Sequence, residues 1–468
     1  MMRRGRLPVS PRVGLLLLAA AIVVAVPFAS IEISLLAAPA QNVQAGGQSL
    51  ELGADPLSVS ASGPGTLELF GQSIPTIVQF RGPIRPRLHW AEVTHYDQLL
   101  LALKQPERLG QDLRQGWSAY FIRQVITAVL LAGGLATLAL ALARREWREV
   151  VIGVLVAAAV AGAGDAVAVT SAARGLQQLS QVRTLDQLVG RTPLTVEAPS
   201  QKVPRPSSST VVIGDSTAAG AGNAPVPKAS VADLACRRSR DSYAADIATV
   251  NGSAVVNLAC TNASIENGLF ASESINGRIV PSQLDALDAM NGVHTVIVSI
   301  GANEMHWAQL MELCLAAPQC DDSATSAWFT QALDAFTLDY YDLLQRLAAL
   351  PGLPRVIVNK YYDPLPATPD CPQQPAITAA KSAVLLDRLT TFNNVLAAGA
   401  ASFGFDAVAP SFAGHELCTP QSFVQGPGDN APLHPNAAGE LAIALADERA
   451  LLNPAPPRPT APTTPSPT

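Results

Sequence analysis

The sequence predicts an α/β sandwich built on a central parallel sheet, preceded by three membrane-spanning helices and a small strand-rich segment. Two observations predict it. Between Ser209 and Leu452, short apolar runs alternate with longer stretches of helical periodicity, as buried parallel strands joined by helical crossovers do. Before them lie three apolar stretches, each near the roughly 20 residues that cross a bilayer as helix.

Those stretches run from about Val13 to Ile31, Gln124 to Ala143 and Val150 to Thr170. The 468 residues are 49% hydrophobic, with positive mean hydropathy, which is high for a wholly soluble chain. Basic flanks set the polarity: Arg3, Arg4, Arg6 and Arg12 precede the first stretch, and Arg144, Arg145 and Arg148 fill the turn between the second and third. By the positive-inside rule these sides face the cytoplasm. Pro39 to Gly116 and everything after Thr170 then lie outside, with Trp117, Tyr120 and Phe121 at the outer interface. The first stretch also reads as a secretory signal, with a basic start and Ala38-Pro39-Ala40 as a small-residue cleavage site. Asp165, about five residues from the outer end of the third stretch, is explained by snorkelling or by packing against the other spans. Ala161, Gly162 and Gly164 suit close helix packing.

The six cysteines, Cys236, Cys260, Cys314, Cys320, Cys371 and Cys418, all fall in the region placed outside. An even count in an oxidising compartment favours disulfides over metal ligation. Of the 15 possible pairings, nearest-neighbour pairing is the simplest: Cys236 with Cys260, Cys314 with Cys320, Cys371 with Cys418. No close Cys/His cluster offers a zinc site. The net charge of -6 and pI near 5.6 give no basic surface for nucleic acid.

Composition divides the rest. Ser49 to Thr94 alternates apolar and polar residues between Gly and Pro turns, as in Thr66 to Phe70 and Ile77 to Phe80, the pattern of short strands. Residues 171–208 turn polar and then proline-rich (Pro193, Pro199, Pro204, Pro206), and 453–468 form a Pro/Thr tail; both read as linker or disorder. The expected divisions are 1–38 (span or signal anchor), 39–116 (strand-rich, extracytoplasmic), 117–170 (helical hairpin), 171–208 (linker), 209–452 (α/β domain) and 453–468 (tail).

Within 209–452 the expected strands are Thr210 to Ile213, Ala254 to Val256, Thr295 to Ile300, Val356 to Val358 and Phe405 to Val408, with helices over Thr325 to Leu350 and Ala376 to Ala401. Ligands of such sheets bind beyond the carboxyl ends of the strands, where Ser216 and Asn303 fall. A serine hydroxyl there needs a base. His434 supplies one, with Pro435 suited to the first turn of a terminal helix from Ala437 to Leu452. Asn303 carries an amide that can donate to an oxyanion.

Five blocks in this order resemble the SGNH/GDSL hydrolases, specifically the secreted actinobacterial esterases and lipases. They are Val212-Ile213-Gly214-Asp215-Ser216-Thr217-Ala218-Ala219-Gly220; Cys236-Arg237-Arg238-Ser239 followed by Tyr243; Asn257-Leu258-Ala259-Cys260; Gly301-Ala302-Asn303-Glu304; and His434-Pro435-Asn436-Ala437-Ala438-Gly439. The resemblance covers about 245 residues and leaves the apolar stretches unexplained. It implies a flavodoxin-like three-layer sandwich, the three nearest-neighbour disulfides and a serine ester hydrolase without cofactor or metal. It also implies Ser216 as nucleophile, His434 as general base, and an oxyanion hole from the N-H of Ser216, the N-H of residue 262 and the Asn303 amide.

Three positions depart from the family pattern. Asn262 stands where the oxyanion donor is usually a glycine N-H, and asparagine tolerates left-handed backbone. Glu304 replaces the usual aspartate. Ala431 occupies the place of the triad acid, three residues before the histidine, which leaves Asp429, folded back over Gly426-Pro427-Gly428, or a backbone carbonyl as the partner of His434.

The other residues singled out are structural in expectation. His294, His306 and His415 are surface or packing residues, Asp215 holds its loop, and Tyr340, Tyr341, Tyr361 and Tyr362 belong to the core, with a substrate cleft as their other reading. The expected function is a membrane-anchored, extracytoplasmic serine esterase acting on acyl or acetyl esters of envelope lipids or glycans. Acyl transfer to an envelope glycan and a catalytically impaired binding module are the alternatives. The expected partners are an envelope ester and the lipid bilayer; protein partners are not indicated.

Overall fold

The computed structural model describes residues 17–104, 109–196, 209–275, 277–367, 371 and 376–458. Arg3, Arg4, Arg6, Arg12, Pro199, Pro204, Pro206 and the end of the Pro/Thr tail lie outside the described residues. The chain divides into two compact units, the first from Met1–Leu69, Ser73–Glu92 and Asp97–Thr192, the second chiefly from Pro193–Thr468.

In the first unit, three helices are long and apolar enough to cross a membrane: Leu17–Ala37, Leu109–Leu142 and Trp147–Leu176. The first is described only from Leu17 and continues past Ile31 to Ala37. Its ladder carries a π turn at Ala21–Ala25 just before Pro27, whose missing N-H removes a helical hydrogen bond there. The second and third form a hairpin over residues 143–146. Ala128, Ala132 and Ala136 on one face and Ala157, Ala161, Ala168 and Ala172 on the other are buried, so close approach of backbones rests on a longer alanine stripe than the sequence singled out. Of the three small residues expected to pack, Ala161 is buried and Gly164 is exposed. Asp165 is fully buried, so packing and not snorkelling accounts for it. Gln124 is buried on the same bundle and donates to Ser34 Oγ at 2.8 Å.

The strand-rich region is a five-stranded sheet of β1 (Gln41–Ala45), β2 (Gln48–Ala54), β3 (Ser62–Leu69), β4 (Gln72–Arg81) and β5 (Pro86–Val93), in the order β1-β2-β5-β3-β4. Ile74, Thr76, Val78 and Phe80 of β4 are buried while alternate residues are not, the period of two that marked the segment in the sequence. Two boundaries differ from expectation. The second apolar helix begins at Leu109, eight residues before Trp117. The stretch after Thr170 stays helical to Leu176 and forms another short helix, Leu185–Val189, because Thr184 caps it by accepting from Gln187 N-H and Gly190 ends it in left-handed geometry.

The second unit holds an all-parallel sheet of β6 (Thr210–Gly214), β7 (Val255–Asn257), β10 (Thr295–Ser299), β11 (Arg355–Asn359) and β12 (Asp406–Val408), with a small hairpin of β8 (Glu273–Ile275) and β9 (Arg278–Val280) beside it. The sheet order is β12-β11-β10-β6-β7. Counted along this domain it is 2-1-3-4-5, the flavodoxin-like order, whose switch point lies between β6 and β10. Val211, Val212 and Ile213 of β6 and Val296, Ile297 and Val298 of β10 are fully buried, as strands covered on both faces require. Helices Ser323–Ala348 and Ala379–Ser402 fall on the expected segments. They meet through Tyr340, whose hydroxyl donates to Leu396 O at 2.9 Å and whose ring stacks on Phe336. Tyr340, Tyr341 and Tyr362 are core residues.

Candidate active site

The site grows from the two strands that flank the switch point. β6 ends at Gly214, and a Cβ there would lie 2.0 Å from Ser299 O at the end of β10. Its φ of +146° is also one that side chains rarely adopt. Gln283 completes the strand end like a detached peptide group: its Oε1 accepts from Gly214 N-H at 2.8 Å and its Nε2 donates to Gly214 O at 2.9 Å. Asp215 then caps the single turn Ser216–Ala219, accepting from Thr217 N-H at 2.9 Å while its own N-H donates to Ser299 O. Ser216 is thereby placed first in a helical turn, 8% exposed.

His434 meets it. Nε2 lies 2.7 Å from Ser216 Oγ, and Nδ1 lies 3.2 Å from Pro432 O. A carbonyl only accepts, so Nδ1 carries the proton and Nε2 is left to accept from the serine. Of the two partners expected for His434, the structure brings a backbone carbonyl, that of Pro432, to Nδ1 and does not bring Asp429 there. Asp429 is exposed, and its Oδ2 accepts from Gly426 N-H at 2.6 Å, closing its own turn. Short polar side chains satisfy nearby backbone donors readily, and the Pro432 carbonyl already occupies the imidazole. Pro435 is also displaced from the first helical turn: Asn436 is the cap, accepting from Ala438 and Gly439 N-H, and the helix runs Ala437–Leu451.

The histidine loop hangs on Gln425, a buried residue the sequence reading missed. Its Nε2 donates to Ala221 O and Pro435 O, and its Oε1 accepts from Ala431 N-H. Its backbone N-H donates to His434 O and its carbonyl accepts from Leu433 N-H. Leu433 pays for this geometry with a φ of +68°.

Asn262 adopts φ +71°, the left-handed region asparagine was expected to tolerate. The loop is held by Cys260 N-H donating to Gly214 O and Thr261 N-H donating to Cys236 O. Neither Ser216 N-H nor Asn262 N-H has an acceptor among the described residues. Asn303 Nδ2 donates to Ala263 O at 2.7 Å, which fixes the amide while leaving it a second N-H. Gly301 makes room for this turn, since a Cβ there would meet Phe392 at 2.5 Å.

Behind the serine sits Tyr361, expected in the core or in a substrate cleft, in a linking role that the sequence does not mark. The Tyr361 hydroxyl donates to Asp215 Oδ2 and accepts from Ala302 N-H at 3.0 Å, linking the two strand-end loops. Burial pushes the Asp215 carboxyl up, offset by hydrogen bonds from Tyr361 and Thr217, and burial beside Asp215 pushes the Tyr361 hydroxyl well up. Glu304 accepts from Ile265 N-H at 2.5 Å through Oε1. Burial pushes its carboxyl up to about 8.

Cys236 pairs with Cys260, Cys314 with Cys320 and Cys371 with Cys418. The first bond lies beside the Asn262 loop, where Arg238 adds hydrogen bonds to Leu258 O and Ala259 O and an ion pair with Asp233. His306 packs near Trp328, and His415 stacks on Phe423 with Nδ1 at 2.8 Å from Gln421 O; neither joins the site.

Residues 212–442 match the GDSL-like Lipase/Acylhydrolase family. This domain belongs to that family. Ser216, Asn262, Asn303 and His434 all fall inside the matched span. The GDSL domain is a serine ester hydrolase fold with its strand-end loops gathered at one switch point. No curated protein matches the chain by sequence. Among solved structures, it is similar to an extracellular lipase from Streptomyces rimosus, with 24% identity over 52% of this chain and 100% of that one and a TM-score of 0.42. It is similar to phospholipase A1 from Streptomyces albidoflavus NA297, with 22% identity over 52% and 99% and a TM-score of 0.39. It is also similar to Est24, a carbohydrate acetylesterase from Sinorhizobium meliloti, with 15% identity over 52% and 99% and a TM-score of 0.30.

Proposed function

We propose that this protein is a membrane-anchored serine esterase whose catalytic domain faces the outside of the cell and cleaves acyl or acetyl esters of envelope lipids or glycans. The observation that carries the reading is the 2.7 Å contact from His434 Nε2 to Ser216 Oγ, with Nδ1 on Pro432 O. In the proposed reaction Ser216 Oγ attacks the ester carbonyl as its proton passes to His434 Nε2. The oxyanion is received by the free N-H groups of Ser216 and Asn262 and the Asn303 amide, each such donor being worth about 3 kcal/mol. Collapse expels the alcohol, which takes the proton from His434, and leaves the acyl group on Ser216. Water then enters with His434 again as base and releases the acid. The dyad needs no acid side chain, because the carbonyl of Pro432 sets the tautomer.

The outside location is supported by Arg144, Arg145 and Arg148 at the hairpin turn, which the positive-inside rule puts in the cytoplasm, and by three disulfides in the catalytic domain. Anchoring limits the enzyme to esters near the membrane. The test uses the full chain in detergent with short- and long-chain 4-nitrophenyl esters. Turnover abolished by Ser216→Ala is expected, and turnover indifferent to that change would end the esterase reading. Reporters fused after Arg148 and after Ser209 should read opposite sides of the membrane; matching signals would defeat the topology.

A further inference from the structure

We propose that Glu304 is a positioning residue for ester hydrolysis: together with Asn303 it grips both ends of the segment 263–265 and so sets the direction of the Asn262 N-H. This rests on the serine esterase reading above. Two consecutive residues after β10 make the grip. Asn303 Nδ2 donates to Ala263 O at 2.7 Å, and Glu304 Oε1 accepts from Ile265 N-H at 2.5 Å. Ala263 and Ile265 are fully buried, so neither end slides against solvent. On its other side Asn262 is tied through Cys260 N-H to Gly214 O and through Thr261 N-H to Cys236 O. A left-handed residue between two fixed ends has one direction left for its N-H.

The carboxyl acts as a neutral acid. Glu304 Oε2 is sealed from solvent with no hydrogen-bond partner among the described residues, and the titratable groups that interact with it electrostatically are Asp215 from the loop after β6, Asp339 from helix Ser323–Ala348 and Tyr361 after β11. None of these is a cation. A protonated carboxyl keeps Oε1 as the acceptor for Ile265. An ionised one places a buried negative charge beside Asp215 and near the oxyanion that hydrolysis develops, which raises the barrier. Burial pushes the carboxyl up to about 8, so Glu304 is neutral below that pH and charged above it. Turnover therefore declines as pH rises through about 8.

The test measures kcat and KM of the full chain in detergent with 4-nitrophenyl butyrate from about pH 6 to 9, alongside melting temperature. Glu304→Ala should lower kcat about 10-fold or more with KM nearly unchanged, because a transition-state donor is misaimed. Glu304→Gln keeps the acceptor without the charge, so it should rescue the plateau and lose the alkaline decline. A Glu304→Ala enzyme with wild-type kcat overturns the proposal, as does an alkaline decline that survives Glu304→Gln. If the alanine variant does not fold, the glutamine profile decides alone. Wild-type protein without Ser216-dependent turnover sinks the esterase reading and this inference with it; wild-type turnover untouched by Glu304→Ala sinks only this inference.

Discussion

Replacing Asp429 by alanine separates a dyad from a triad. In the structure Asp429 spends its carboxylate on Gly426 N-H at 2.6 Å and stands exposed. Its loss removes one hydrogen bond in a solvated turn, worth about 1 kcal/mol of local stability. Nothing between it and the reacting atoms is broken, since His434 Nδ1 is paired with Pro432 O. The expected change in kcat is therefore within about 3-fold, or 0.65 kcal/mol of barrier. A true triad acid behaves differently: disabling one lowers kcat about 10⁴-fold, equal to about 5.5 kcal/mol. Steady-state hydrolysis of 4-nitrophenyl butyrate by Asp429→Ala and Asp429→Asn, with Ser216→Ala as baseline, resolves outcomes so far apart. A loss of about 100-fold or more at unchanged melting temperature would refute the dyad and return Asp429 to the imidazole.

Three further outcomes follow from the same geometry. Cys236→Ser with Cys260→Ser opens a loop of sequence separation 24, a loss of about 3 kcal/mol on chain-entropy grounds, and should lower kcat too because Thr261 N-H hangs on Cys236 O; an unchanged melting temperature contradicts this. Asp447, buried against Asn359 and pushed up to about 8 by burial, favours folding most while the unfolded chain is also protonated, and that contribution is lost as pH rises from about 4 to 8. Asp447→Asn should thus melt level with wild type near pH 4 and about 3 °C or more above it at pH 8; a gap that does not widen with pH argues otherwise. Gly214→Ala forces a Cβ onto Ser299 O at 2.0 Å and should cost several kcal/mol; a melting temperature within about 2 °C of wild type would show that the strand ends can part.

What was legible in the sequence was whatever repeats or carries chemistry. The Val- and Ile-rich runs identified the parallel strands because central strands are buried on both faces, and Ser216, Asn303 and His434 stood out because few residue types attack, donate or accept at a strand end. Gln283 and Gln425 were not legible, and neither was the linking role of Tyr361. Each works by pairing with backbone or with Asp215 across a large sequence separation, and nothing local marks a glutamine that will serve as a substitute peptide group. Asp429 and a backbone carbonyl stayed level for the converse reason: proximity in sequence suggests a reach for Asp429, and only the folded turn shows its carboxylate on Gly426 N-H. Asp165 was ambiguous because a short distance from the helix end permits snorkelling, and only the packing of three helices shows it turned inward.

The brace formed by Gln425 has a consequence for change over time. Gln425 ties the His434 loop through its side chain and its backbone, to Ala221, Ala431, Leu433 and Pro435, and Asn223 donating to Pro435 O and Tyr362 donating to Leu433 O hold the same loop from outside the turn. Residues 427–430 project beyond it as an exposed turn. Lengthening such a turn costs little, about 0.6 kcal/mol for each doubling. That rim is therefore where mutation and insertion can accumulate while turnover persists, and where an engineer could graft a reporter or a recognition loop a short distance from the serine without disturbing it.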